Sequence, residues 1–317
     1  MVLYYLGFST IALHSPDAGR TEPLYRLIAT SSSVKKSNNK MDAQEIQPLP
    51  NHQVAIERFV AACQADERVV AACLGGSYAK GTADAYSDLD LYLITTDEAY
   101  EDFYARREAF MRLLGEPVFL EDFGIPSIVF FIFRDGTEGE LGFGRESQFT
   151  HIHSGPYQVL LDKKRILAGV VFPRRESDPA EQTEKLRRLV YWFWHDLSHF
   201  ITAMGRGQLW WAYGQLEALR RYCANLARLR QNFADADVGE EGYFKVEQAV
   251  PVGQLSSLQA TFCPQEEGAM FQSVLVIVRF YQELAPLLAR THGISYPADL
   301  ERVMIDRLGK LRNARSS

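Results

Sequence analysis

Cysteine is scarce in this chain: four residues in 317, Cys63, Cys73, Cys223 and Cys263, with no Cys-x-x-Cys pair. That spacing excludes a zinc ribbon or a dithiol redox motif, and the mostly apolar neighbours predict reduced, buried thiols. No run approaches the roughly 18 consecutive apolar residues of a membrane span. The apolar stretch from Val2 to Leu13 is interrupted and no basic residue precedes it, so it makes a poor secretory leader. Together these features predict a cytoplasmic protein without membrane segments. Long basic runs are absent too: 34 Lys and Arg stand against 40 Asp and Glu, for a formal charge of −6. A grip on a nucleic acid backbone needs dense positive charge. A small or cationic partner fits this balance better. No internal repeat and no coiled-coil heptad is visible.

What the chain does have is enough length and a 47% hydrophobic share to build two globular domains. Residues 14–50 are rich in Ser, Asn, Pro and Lys, and Met41 opens a segment that reads like a natural start. Residues 1–45 are therefore expected to be a disordered extension, dispensable as far as residue 40. Asn51 reads as the N-cap of a helix of about 15 residues carrying Val54, Ile56, Phe59, Val60 and Cys63. A strand follows from Val69 to Leu74. Thr95-x-x-Glu98 fits a capping box for a helix bearing Phe103, Phe110, Met111 and Leu114, which Gly115-Glu116-Pro117 ends. Strands are predicted at 118–123 and 127–134, the second apolar enough to be interior. Asp135-Gly136 signals a hairpin into 138–144, and a last strand spans 157–161, with Asp162 closing it as a turn or cap.

The densest stretch is Arg68 to Thr95. Its first apolar run ends in Gly75-Gly76-Ser77, and Asp88-Leu89-Asp90 opens a second run, Leu91 to Ile94. On a strand Asp88 and Asp90 project to one face and Leu89 and Leu91 to the other. Adjacent carboxylates repel unless a cation lies between them, and hard oxygen donors suit magnesium. The Gly-Gly-Ser turn offers backbone N–H groups and a hydroxyl to a phosphate, above all if a helix begins there.

Gly76, Ser77, Asp88 and Asp90 fall on the motif positions of the polymerase-beta-like nucleotidyltransferases, which this stretch resembles. The phrase YQVLLDKKRIL and the helical second half resemble, more loosely, the bacterial aminoglycoside adenylyltransferases and the related lincosamide nucleotidyltransferases. The resemblance implies an α+β fold: a nucleotidyltransferase domain over residues 46–172, a mixed sheet flanked by helices, then a helical substrate-binding domain over 173–317. It implies transfer of AMP from ATP to a hydroxyl of a small, antibiotic-like molecule. Asp88 and Asp90 would hold two magnesium ions. Gly75, Gly76, Ser77, Lys80 and Ser87 would bind the nucleotide. A third carboxylate is expected on a later strand beside the Asp pair. Glu140 matches that position best, as metal ligand and base, and Glu138 is the substitute.

In the second half, Asp178-Pro179 reads as a cap followed by a helix to about Met204. Further helices are predicted near 208–229, 266–290 (kinked at Pro286) and from Pro297, the last carrying Leu300, Val303, Met304 and Leu308. An acidic linker, 235–241, separates the second and third. His195-Asp-Leu-Ser-His199 matches the spacing of a zinc helix motif, and His151-x-His153 is a second histidine pair, but neither brings an obvious third ligand. The aromatic run from Tyr191 to Trp194 reads as core packing, or as a face lining an acceptor pocket. Three alternatives stay open: a nucleotidyltransferase that modifies a partner protein, a non-catalytic nucleotide sensor, and a metallohydrolase built on His195 and His199.

Overall fold

The computed structural model describes residues 49–173, 178–235 and 242–316. The expectation for the first 45 residues, and most of the acidic linker, lies outside that range. Helix α1 spans Pro50–Ala65. Its cap is Leu49 and not Asn51, because proline already has the helical φ and no N–H to satisfy, so the helix starts on Pro50 itself. Ile56, Phe59 and Cys63 are buried as expected, whereas Val54 is exposed.

Strand β1 (Val69–Leu74) leads into a short helix α2 (Gly76–Lys80), and strand β2 covers Leu89–Thr95. The capping box is absent: Thr95 is still paired on both sides, with Val69 and with Arg145, so no helix can begin there. Helical structure starts at Tyr100, in two pieces, α3 (Tyr100–Ala105) and α4 (Arg107–Leu114). Phe103, Phe110, Met111 and Leu114 are buried on them. Strands β3 (Pro117–Glu121), β4 (Ile128–Phe133), β5 (Glu138–Arg145) and β6 (Gln158–Asp162) complete the sheet. Gly136, in the hairpin between β4 and β5, has φ +85°, which glycine adopts without strain.

The six strands are ordered β3-β4-β5-β2-β1-β6. Only β2 and β5 run parallel; the other pairs are antiparallel. Period two divides the sheet into unlike faces. Leu89, Leu91, Leu93, Leu141 and Phe143 join Phe59, Phe103 and Phe110 in one closed core under α1, α3 and α4. The opposite face carries Asp90, Tyr92 and Ile94 beside Glu140, Gly142 and Gly144. Phe149, Leu167 and Phe172 cover it at the Ile94 end.

The helical half comprises α5 (Pro179–Gly205), α6 (Leu209–Gln231), α7 (Val246–Ala249), α8 (Val252–Gln259), α9 (Glu267–Thr291) and α10 (Ala298–Ser316). Asp178 caps α5, its carboxylate accepting from the Ala180 N–H at 2.9 Å. The short helices α7 and α8 carry too few apolar positions to show a period. Met304 and Leu308 of α10 are buried, while Leu300 and Val303 are exposed. The core here is separate from those of the sheet and includes Phe193, Trp194, Leu216, Ile277 and Tyr281. Two arginines are buried with it. The Arg220 guanidinium donates to Thr261, and that of Arg228 to Asp235; without such partners each buried cation would cost several kcal/mol. Among the described residues no helix is long and apolar enough to cross a membrane.

Candidate active site

The phosphate-type turn forms where β1 runs out. Gly75 caps α2, and its N–H donates to the carbonyl of Asp90 at 2.8 Å, tying the turn to β2. Gly76 has φ +56°, and a Cβ there would lie 1.5 Å from Oδ2 of Asp90, so no other residue fits without moving the carboxylate. The Ser77 hydroxyl follows it, buried and without a hydrogen-bond partner among the described residues. A buried hydroxyl left unpaired is costly unless a ligand completes it. Behind the turn, His52 of α1 and the Tyr78 hydroxyl of α2 lie 2.6 Å apart in a hydrogen bond, which anchors the short helix to α1.

Asp90 and Glu140 are direct partners in the parallel register of β2 and β5. Burial pushes the Asp90 carboxyl up to about 6, and repulsion from Asp88 and Glu140 adds to it, against an opposing pull from Lys80. Glu140 is also raised, first by burial and then by Asp88; the Tyr92 hydroxyl, donating to its Oε1 at 3.2 Å, works in the other direction. Asp88 lies just before β2 and is exposed. Glu138 is exposed as well and pairs with Ile132. Lys80 is exposed at the end of α2. The Ser87 hydroxyl is engaged in the preceding loop, accepting from the Asp84 N–H at 2.8 Å and donating to its carboxylate.

This donor set fits a hard divalent cation: three mutually repelling carboxylates on one face, with an unspent hydroxyl and backbone turn beside them. Among the described residues no three His, Cys, Asp or Glu side chains converge on a single point. An open face is nonetheless what magnesium uses, since it keeps waters and substrate phosphates among its ligands.

Tyr92 escaped the sequence reading. The signal was there: two residues beyond Asp90, it must share that residue's face. A Cβ at Gly142 would lie 2.6 Å from the Tyr92 ring, so glycine on β5 is what lets the ring lie flat toward Glu140. His153 packs on the other side of Tyr92, ring centroids 4.7 Å apart, and its Nε2 bonds to the Pro156 carbonyl. That histidine is a packing residue, with its pKa lowered by burial. Asp162 accepts from the N–H groups of Ile166 and Leu167, which makes it the cap it was expected to be. In the helical half the rings of His195 and His199 stand 4.5 Å apart, and Asp196 bridges His195 Nδ1 and the Tyr222 hydroxyl. No third ligand joins the pair among the described residues.

Residues 50–310 match the model of the family described as streptomycin adenylyltransferase. Among solved structures, an aminoglycoside 6-adenyltransferase from Bacillus subtilis is similar at 14% identity, with 81% of this chain and 97% of that chain covered and a TM-score of 0.36. A nucleotidyltransferase-like protein from Exiguobacterium sibiricum 255-15 is similar at 11% identity, over 73% of this chain and 74% of that one, with a TM-score of 0.33. The curated proteins include no match.

Proposed function

Given that the chain belongs to the streptomycin adenylyltransferase family, and so is an adenylyltransferase, we propose that it transfers AMP from ATP to a hydroxyl of a small cationic aminoglycoside-like acceptor, with Asp88, Asp90 and Glu140 at the reacting centre. The observation that carries this reading is the pairing of Glu140 with Asp90 directly beside the Gly76-Ser77 turn. A non-catalytic sensor would be favoured by a third carboxylate standing elsewhere.

In this mechanism the turn from Gly75 to Ser77 holds the β and γ phosphates, with Lys80 adding positive charge. Magnesium, held by Asp88 and Asp90 with Glu140 beside them, would supply charge neutralisation on the phosphates. The acceptor hydroxyl attacks the α-phosphorus, the bond to the bridging oxygen breaks, and pyrophosphate leaves in line with the new bond. Glu140 takes the hydroxyl proton. Its burial raises its basicity, while the Tyr92 hydrogen bond keeps one oxygen oriented and the other free. Ser87, spent on Asp84, would reach a nucleotide only by giving up that turn. The separate cores of the sheet and the helices support a division into a catalytic domain, 46–172, and an acceptor-binding helical domain, 173–317.

The test is to incubate the protein with ATP and magnesium against a panel of aminoglycosides and lincosamides, following pyrophosphate. Release that depends on both acceptor and magnesium is expected. Release that is independent of every acceptor would contradict the reading.

A further inference from the structure

Helix α5 buries one stripe, which includes Val190, Phe193, Leu197 and Phe200, in the helical core. On the side away from that stripe stand His195 and His199, one helical turn apart. Their rings lie 4.5 Å apart, centroid to centroid, at an angle of 42°. The His195 side chain is 53% exposed, so an ion bound there keeps access to water ligands. The transfer chemistry uses neither histidine.

Three observations point to a ligand. The first is the hydrogen bonding behind His195. Asp196 sets Oδ1 3.0 Å from His195 Nδ1, and its Oδ2 accepts from the Tyr222 hydroxyl of α6 at 2.7 Å. An ionised carboxylate can only accept, so Nδ1 carries the proton and Nε2 keeps its lone pair. Metal-ligating histidines almost always have such an outer partner, which fixes the tautomer and the ring's orientation. The second is spacing. Two imidazoles bound to one ion at about 2.0 Å and a right angle to each other set their ring centres roughly 4.5 Å apart, which is the separation here. The third is charge. From Leu189 to Gly205 the helix carries no lysine or arginine, and Asp196 is its sole acidic residue.

The donors also select the ion. Imidazole suits copper, nickel and zinc, whereas magnesium prefers carboxylates and water. Two nitrogens at a right angle, with the remaining positions left to water, match tetragonal Cu2+ or Ni2+ better than tetrahedral zinc. Catalytic zinc takes three protein ligands, and among the described residues no third joins this pair. Asp196 is committed to His195 and Tyr222, which removes it as the base of a hydrolase.

We infer that His195 and His199 form a binding site for Cu2+ or Ni2+ on α5, one nitrogen from each ring, completed by water and oriented by Asp196. The site is separate from the catalytic carboxylates and does not depend on the proposed AMP transfer. Bound metal staples one turn of α5. It does so beside two tryptophans, the Trp192 ring 4.8 Å from that of His195 and the Trp211 ring 5.6 Å from that of His199.

The experiment is titration of the full chain with CuCl2, and separately with NiCl2, in a non-chelating buffer containing excess MgCl2. Tryptophan emission and calorimetry follow the binding, and thermal unfolding checks each variant. The proteins compared are wild type, His195→Ala, His199→Ala, Asp196→Asn and, as a control on the other histidine pair, His151→Ala. One equivalent of Cu2+ is expected to bind wild type with a micromolar Kd and to quench its emission, Ni2+ binding more weakly. Each of His195→Ala and His199→Ala should raise the Cu2+ Kd about 10²-fold, because one ligand replaces a chelating pair. Asp196→Asn should raise it about tenfold with the stoichiometry unchanged, and His151→Ala should leave it alone. Ni2+ should raise the melting temperature of wild type but not of His199→Ala. Wild-type affinity in folded His195→Ala and His199→Ala would place the metal elsewhere and overturn the inference. So would loss of binding in excess magnesium, or a wild type that binds neither ion. Unchanged affinity in Asp196→Asn would overturn the positioning role of that carboxylate.

Discussion

The two faces of strands β2 and β5 are written by alternate residues of the same short segments, and they obey opposite rules. Leu89, Leu91, Leu93, Leu141 and Phe143 are fully buried in a core of aliphatic and aromatic side chains. One residue over, Asp90, Tyr92 and Glu140 form a half-buried face on which carboxylates repel one another. The first face gains stability by excluding water. The second gives some up to hold charge, which in the proposed mechanism a cation and phosphates use.

The largest effect that would break this comparison comes from the second face. Asp90→Asn or Asp88→Asn is expected to lower the transfer rate by about 10³-fold or more, since each removes charge that metal-assisted chemistry needs. Asp90→Asn should also stabilise the metal-free protein. Burial raises the Asp90 carboxyl to about 6 in the folded state from 3.8. Whatever stability its protonated form contributes is therefore complete below about pH 4 and lost as pH climbs through 6. Above pH 6 the melting temperature of Asp90→Asn should exceed that of wild type by a few degrees, and the gap should close toward pH 4. A variant that is inactive and less stable at neutral pH would contradict the trade.

Next in size, Glu140→Gln should cost about 10²-fold in rate, the scale of a lost general base, with nucleotide affinity little changed. Rate measurements on Glu138→Gln at saturating acceptor sharpen the contrast. If the chemical step fails there and survives in Glu140→Gln, the register read from the sheet has the wrong glutamate.

On the closed face the expected loss is structural. Leu91→Ala should destabilise the protein by about 2–5 kcal/mol, measured by urea unfolding, while the folded fraction keeps its transfer rate. The smallest effect belongs to Tyr92→Phe, which removes only the donor to Glu140. A loss of about fivefold in rate corresponds to roughly 1 kcal/mol, the usual scale of such a bond. That hydrogen bond holds the Glu140 pKa down, so without it the acid limb of the pH–rate profile should move to higher pH. An unmoved limb would show that Tyr92 only packs.

Much of this is legible in the sequence alone. Val69–Leu74 and the run after Asp90 are apolar on both faces and short, so their strands were visible, and the cap at Asp178 was plain from its proline. Period two puts Glu138 and Glu140 on one face and the family resemblance favours Glu140, but only the parallel register of β2 and β5 pairs it with Asp90. The misreadings have two causes: tertiary pairing that a local pattern does not contain, and one local signal outranked by another. Thr95 looked like a helix cap because nothing nearby reveals that Val69 and Arg145 hold it in the sheet. Asn51 lost to a proline one residue ahead. Tyr92 shares Asp90's face by period two alone, but only the parallel pairing of β2 with β5 brings it to Glu140.

The most direct test of the central claim is the fate of the two ends of ATP. With ATP labelled at the α-phosphorus, the folded wild-type protein, magnesium and an aminoglycoside acceptor, label should pass to the acceptor. With ATP labelled at the γ-phosphorus it should appear only in pyrophosphate, and Asp90→Asn should give neither product. Movement of the γ label onto the acceptor, or full transfer by Asp90→Asn, would contradict the account.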